Sequence, residues 1–493
     1  MSSVTTESNL QKRRAGVLLH PSSLPGKQRL GTIGQEAFNF LYFMKNCGLS
    51  VWQVLPLGPT HSDGSPYQCL STHAGNPELI ELDWLANQGW LSQKKIKYRD
   101  VMATLSMACD HFFEHASQEW RTRFDEFLQN ESYWLEDYAL FMALKKIYPI
   151  SWTEWPLRYR LRDDKALREV VKKRAKLIRV TQFTQFVFFT QWHELKDQAR
   201  LLGISLFGDM PIYVSPDSCD VWSRKEYFLM DQEGHCEYVA GVPPDAFSET
   251  GQLWGNPLYD WDYMQQQDFD WWIDRFKTQL KLFDIIRIDH FRGLESYWRI
   301  PGDAETAIDG EWVKTPGAEL LQSLRRHFEH LPLVAEDLGV ITNEVIELRT
   351  SNHLPGMLVL QFAFDGDPNN LYLPHNHYHN AIVYTGTHDN DTTVGWFEKL
   401  EPYQLQSFLD YLGRTDQDQL NMPEDLNRMA LASVAKLTIL PMQDLLKLGS
   451  EHRMNTPGTI KDNWSWQFDW DQVWPELASD LRKLIGLYGR YHL

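Results

Sequence analysis

The stretch IIRIDHFRG, residues 285–293, decides how the rest of the chain is read. Its β-branched run reads as a buried strand. Yet Arg287 and Asp289 stand at alternate positions within it, and His290 falls where the strand should end. In a strand, residues two apart point to the same side. Arg287 and Asp289 therefore share one face, and Ile286, Ile288 and His290 share the other. A buried carboxylate is costly unless it is paired or used. The stretch is either a local Arg–Asp pair at a strand end or the floor of a site.

Working outward, similar short apolar runs recur. They are AGVLLHPSSLPG (15–26), SVWQVLPLGP (50–59), ISLFGDMPIYV (204–214), IIRIDHF (285–291), SYWRIP (296–301), PLVAEDLG (332–339), GMLVLQFAF (356–364) and NAIVYTGTHDND (380–391). Most are apolar on both faces, as parallel strands covered by helices should be. Helical patterns lie between several of them. EAFNFLYFMKNCG (36–48) ends in a glycine stop, and 270–283 and 317–331 carry apolar residues at helical spacing. Eight parallel strands alternating with helices predict a (β/α)8 barrel. The stretch 291–296 is too short for a full helix, so the fifth of these strands would follow the fourth irregularly.

Two gaps exceed simple crossovers. Residues from about 78 to 200 read as a helical insertion. Residues 215–269, rich in Gly, Pro, Trp and Tyr, read as a lid-like insertion, since loops of this length are usually functional. Beyond 391 the pattern is mostly helical, which excludes a C-terminal β-sandwich. We expect one catalytic domain over 14–493 after a disordered tail over 1–13.

At 43% hydrophobic and 23% charged residues, the 493-residue chain is globular. Its net charge of −18 argues against nucleic acid or an anionic membrane surface as the main partner. It favours a neutral or cationic small molecule. The 20 Trp and 20 Tyr offer flat, polar-rimmed rings that suit sugars as well as hydrophobic cores, and core packing accounts for most of them. The five cysteines are scattered, with no C-x-x-C, which fits a reducing compartment and no structural zinc. With neither a signal-like segment nor a membrane-length apolar run, the chain reads as cytoplasmic.

In a barrel, functional groups gather at the C-terminal strand ends. Four carboxylates fall there: Asp209, Asp289, Glu336 and Asp389. Asp337 adjoins Glu336, but neighbours on a strand face opposite ways, so only one should enter the site. One acidic residue at a strand end is more often a helix cap or an ion pair. Four on different strands point to chemistry. Cleaving a sugar acetal passes through an oxocarbenium-like transition state, which needs a proton donor for the leaving oxygen and a carboxylate for the anomeric carbon. Arg287 would hold Asp289 ionised and aimed. His290 and His388 are placed to donate to sugar hydroxyls.

The segments 208–222, 286–293, 334–339 (VAEDLG) and 385–391 (TGTHDND) resemble the four signature regions of the α-amylase superfamily. Their wording is most similar to the amylomaltases, the 4-α-glucanotransferase or disproportionating-enzyme family. GVLLHPSSLPG, WQVLPLGPT, SPYQCLSTHAGNPELIELDWL and GVPPDAFSETGQLWGNPLYDW resemble further segments of that family, in the same order. The resemblance implies a retaining 4-α-glucanotransferase without metal or cofactor, acting on maltooligosaccharides, glucose and α-1,4-glucans. It implies Asp289 as nucleophile, Glu336 as general acid/base, and Asp389 as the residue that grips and distorts the donor sugar. It implies Arg287, His388 and Asp209 as donor-side contacts. It also implies a loop over 242–257 that closes on the acceptor with Asp245, Phe247, Trp254 and Asn256. Many members carry a tyrosine before the Ser-Pro-Tyr-Gln sequence; here HSDGSPYQ (61–68) has Ser62 there, leaving Tyr67 or His61 to take over part of its contact. The signature regions alone leave open a hydrolase of the same superfamily or a non-catalytic glycan-binding barrel.

Overall fold

The computed structural model describes residues 12–231, 233–244, 248–459 and 461–491. Most of the expected tail, and both Asp245 and Phe247, lie outside the described residues.

Twelve strands are formed: β1 Arg14–Leu18, β2 Val51–Gln53, β3 Ser205–Pro211, β4 Tyr238–Val242, β5 Gln252–Pro257, β6 Ile285–Asp289, β7 Ser296–Pro301, β8 Glu311–Lys314, β9 Leu333–Ala335, β10 Gly356–Val359, β11 Ala381–Tyr384 and β12 Leu437–Pro441. Eight of them make an all-parallel sheet in the order β10-β11-β12-β1-β2-β3-β6-β9. The Ala335 N–H donates to the Pro355 carbonyl at 2.9 Å, bringing the two outer strands together into a nearly closed barrel. Every residue of β1, β2, β9, β10, β11 and β12 is buried, as strands covered on both faces must be. The (β/α)8 expectation holds, and no sandwich follows the barrel among the described residues.

Two strand assignments change. SYWRIP (296–301) is not a barrel strand. Only a 3-10 turn, Phe291–Leu294, separates it from β6, far too little chain for a parallel crossover. It pairs antiparallel with β4 and β8 in a separate sheet of order β5-β4-β7-β8. The missing barrel strand is LTILP (437–441), in the region expected to be helical; it pairs parallel with β1 and β11. The insertion at 215–269 is also less irregular than its composition suggests, since it supplies β4 and β5.

The first insertion is helical, as expected. Its longest helix, Ala175–Leu201, turns Phe183, Phe186, Phe188 and Phe189 into the core. Its buried amides do not go unpaired: Gln185 bonds both N–H and C=O of Gly75, at 2.7 and 2.9 Å, and Gln191 does the same for Glu81, at 2.9 and 3.0 Å. Buried polar groups thus become rivets between the insertion and the loop after β2. The helix Gln35–Cys47 stops at Gly48, whose φ of 78° is the left-handed cap that glycine provides.

Candidate active site

Register brings the site together. β3 pairs with β6 so that Asp209 lies opposite Arg287. The Arg287 guanidinium donates to both oxygens of Asp209, at 2.8 and 2.7 Å, and its second Nη meets Asp289 Oδ1 at 2.8 Å. Arg287 thus spans two carboxylates, with Nη1 between both oxygens of Asp209 and Nη2 on one oxygen of Asp289, leaving Asp289 Oδ2 unengaged by it. Tyr67 adds a third donor to Asp209, its hydroxyl lying 2.7 Å from Oδ2. Burial and Asp209 together push the Tyr67 phenol well above its ordinary pKa, so it remains a donor. The Tyr67 ring stacks on His388, with centroids 5.1 Å apart and planes at 16°. Tyr67 therefore lies among the carboxylates at the strand ends, beside His388. His61 is engaged with Ser215 at 3.0 Å.

The strand ends at Asp289 because His290 adopts φ 52°, ψ 52°. Its side chain is therefore not on the isoleucine face that strict alternation assigns it. The turn aims the His290 N–H at Glu336 Oε2, 2.6 Å away, and Leu338 N–H donates to Oε1 at 3.1 Å. Asp337 points the other way, to Arg349 at 2.9 Å and to the Met357 N–H at 2.8 Å. Of the adjacent acids, only Glu336 enters the site.

Burial raises Glu336 to about 7, against the opposing field of Arg287 and with help from the charge of Asp289. Burial also raises Asp289, to about 6, with Arg287 resisting most strongly. Asp389 differs. Desolvation would raise it, but His388, 3.3 Å away, and the Asn455 amide, 2.6 Å away, bring it down to about 2. Its side chain is 49% exposed, more open than that of Asp289 at 27%. His388 is pushed up in turn, because Asp389 outweighs the burial that would lower it.

Trp254, on β5, stands edge-to-face against His290 at 4.9 Å, so the second insertion reaches over the end of β6. Asn256 is buried and donates to the Val214 carbonyl at 2.7 Å, which ties that strand to the loop after β3. Three residues that the sequence reading did not single out complete the site. Asn455 and Arg453 hold the side chain and the carbonyl of Asp389, at 2.6 and 2.9 Å. Trp464 packs against both Tyr67 and His388, at 5.9 and 6.0 Å. All three lie in the loop after β12, the strand that went unread. Beside this loop lies a cavity of about 200 Å³ lined by His20, Arg29, Ser62, Asp63 and Trp466. Its His20 is buried, with Nδ1 unpartnered among the described residues.

Comparisons with known proteins agree with this geometry. A family model described as 4-alpha-glucanotransferase matches residues 19–472. The chain is 48% identical to a 4-alpha-glucanotransferase of Thermus thermophilus, over 96% of this chain and 98% of that one. It is 46% identical to one of Synechocystis sp., over 98% and 99%. The solved amylomaltase from Streptococcus agalactiae, in complex with acarbose, superposes with a TM-score of 0.93 at 38% identity, over 98% of this chain and all of that one. By fold, site and sequence, the chain belongs to the 4-alpha-glucanotransferase family.

Proposed function

We propose that Asp289 is the nucleophile, Glu336 the general acid/base and Asp389 the donor-gripping anion of a retaining transfer between α-1,4-glucans. The chain is a 4-α-glucanotransferase by family. Arg287 takes Asp289 Oδ1 and leaves Oδ2 to attack the anomeric carbon. Glu336 gives its proton to the departing 4-oxygen as the glycosidic bond breaks, and the sugar is held as an ester on Asp289. The acceptor's 4-hydroxyl then attacks the same carbon, returns its proton to Glu336 and frees Asp289. Asp389 and His388 hold the donor's hydroxyls from the open side. Maltooligosaccharides serve as donors, and glucose or a second glucan as acceptor.

The observation that carries this reading is the unequal treatment of two neighbouring acids. Asp289 is tied to a guanidinium, which favours its charged form. Glu336 receives only backbone N–H groups in a buried setting, which keeps a proton available near neutral pH. Among the described residues all five cysteines are free, and no helix is long and apolar enough to cross a membrane. The free thiols support a cytoplasmic setting.

The test is the product ladder from pure maltotriose. Transfer yields glucose together with oligomers longer than the substrate. Shorter products alone would make water the acceptor and the protein a hydrolase.

A further inference from the structure

We propose that Arg292 is a positioning residue for the acid/base: it clamps the turn after β9 so that the Leu338 N–H stays aimed at Glu336. The proposal rests on the reading of Glu336 as acid/base. Arg292 lies in the 3-10 turn Phe291–Leu294, with only 7% of its surface exposed. Its Nη1 donates to the Val340 carbonyl at 2.6 Å, and its guanidinium lies 3.8 Å from the ring centroid of Trp312 on β8. Trp312 is set in turn by Trp298 of β7, 5.2 Å away.

The turn 336–340 thus has two anchors, both from the end of β6 and the turn that follows it. At its start, Glu336 N–H donates to the Ile288 carbonyl at 3.1 Å, and Phe291 N–H donates to the Glu336 carbonyl at 3.0 Å. At its end stands Arg292. Between them lie Leu338, whose N–H holds Glu336 Oε1, and Gly339 at φ +84°. Val340 is 63% exposed, so burial holds that point of the turn poorly. Guanidinium suits this task. It donates in a fixed plane while its face rests on an indole, which an ammonium does not reproduce.

Releasing the far anchor should let the Leu338 N–H drift from Oε1. A hydrogen bond to the charged form is then lost, so Glu336 holds its proton to higher pH and is less well aimed. The other groups facing Glu336 are Arg287 and Asp289 of β6, Tyr384 of β11 and Tyr372 of the loop after β10. Those facing Arg292 are Glu295, Glu344 and His290, whose proton affinity Arg292 helps to lower. All of these residues are retained in the Arg292 variants, and Arg292→Lys also keeps the charge they face.

The experiment compares Arg292→Met, Arg292→Lys and Glu336→Gln on two donors, maltotriose and α-glucosyl fluoride, whose fluoride leaves without a proton. For Arg292→Met we expect kcat on maltotriose to fall about 10- to 100-fold, the cost of a misplaced catalytic group, and fluoride release by less than about threefold. The alkaline limb of the maltotriose profile should move to higher pH. Arg292→Lys should lie between wild type and Arg292→Met, and it carries the test if the methionine variant does not fold. Equal losses on both donors, or no loss, with the alkaline limb unmoved, would overturn the proposal while leaving Glu336 as acid. If instead Glu336→Gln keeps full maltotriose turnover, or loses fluoride release equally, the acid/base reading itself fails and the clamp falls with it.

Discussion

The two ends of the barrel use buried charge in opposite ways. At the N-terminal end two buried arginines, Arg490 and Arg14, reach neutral oxygens. Arg490 is fully buried and donates to the carbonyls of Leu431, Ser433 and Arg14, at 2.7, 2.7 and 3.1 Å. Arg14 reaches Ser50 and Ser205 at 3.0 and 3.1 Å. At the C-terminal end the charges are carboxylates in mutual conflict, with Arg287 shared between two of them and proton affinities raised by burial. One end is satisfied and fixed. The other carries a standing cost that becomes useful only when a sugar is bound. Stability and reactivity are therefore separable by substitution, and the end chosen decides which is lost.

The largest expected effect is at the reactive end. Asp289→Asn should reduce turnover by at least about four orders of magnitude, since an amide of the same shape is a poor nucleophile, while the melting temperature holds or rises. Activity within about tenfold of wild type, roughly 1.4 kcal/mol, would remove Asp289 from its role.

The opposite substitution is Arg490→Met. It removes the hydrogen bonds that tie Arg490 to Leu431, Ser433 and Arg14, although Arg13 still donates to the first two carbonyls, and should cost about 1–3 kcal/mol of stability. Activity per folded molecule should stay within about twofold. A variant that melts normally but has lost turnover would erase the contrast between the ends.

Titration sharpens the comparison further. With the roles proposed for them, turnover requires the Asp289–Glu336 pair to hold one proton, on Glu336. The kcat/KM profile should therefore be a narrow bell, rising through about 6 and falling through about 7. The same raised affinity affects folding. Between the unfolded carboxyl value and about 7 the native Glu336 binds more protons than the unfolded chain, so its contribution to stability falls as pH rises through that window. Glu336→Gln should therefore gain more in melting temperature at pH 8 than at pH 4. Equal gains at both would mean that Glu336 titrates normally.

The smallest effect concerns partition. The glycosyl ester meets water at tens of molar and acceptors at millimolar, so transfer wins only if sugar is bound well and water is poorly placed. Trp254→Ala should raise the ratio of hydrolysis to transfer several-fold, read as new reducing ends against total bonds cleaved across glucose concentrations. An unchanged ratio with a lower melting temperature would make Trp254 a packing residue only.

Much of this was legible in sequence because two periodicities coincide at β6. Ile286 and Ile288 mark a buried strand, and Arg287 and Asp289, on its other face, meet as the alternation requires. The same rule sent Asp337 outward. It failed at His290, where the backbone turns left-handed, and a period-two argument cannot see such a turn. It also misassigned β7, whose alternation is that of any strand; only the short link from β6 distinguishes an antiparallel partner from the next barrel strand. The costliest omission was β12. Five residues, four of them apolar and the last a proline, between helical segments, carry no periodic signal that separates them from a helix end. With β12 unread, its following loop had no barrel position, and Arg453, Asn455 and Trp464 had no reason to be considered.

The pairing of β1 with β12 also sets a timetable. The first strand to leave the ribosome has one barrel neighbour, β2, within reach, but its other edge waits for Leu437–Pro441, more than 400 residues later. At roughly 5–20 residues per second, synthesis leaves that edge unpaired for about 20–80 s. The Arg490 guanidinium and the Arg14 carbonyl it seals are 476 residues apart in sequence, so that lock forms later still. Contacts this distant make folding slow and leave an apolar strand edge open to the wrong partner. Nascent chains stalled before residue 437 should be protease-sensitive at β1, and those carrying β12 should be protected.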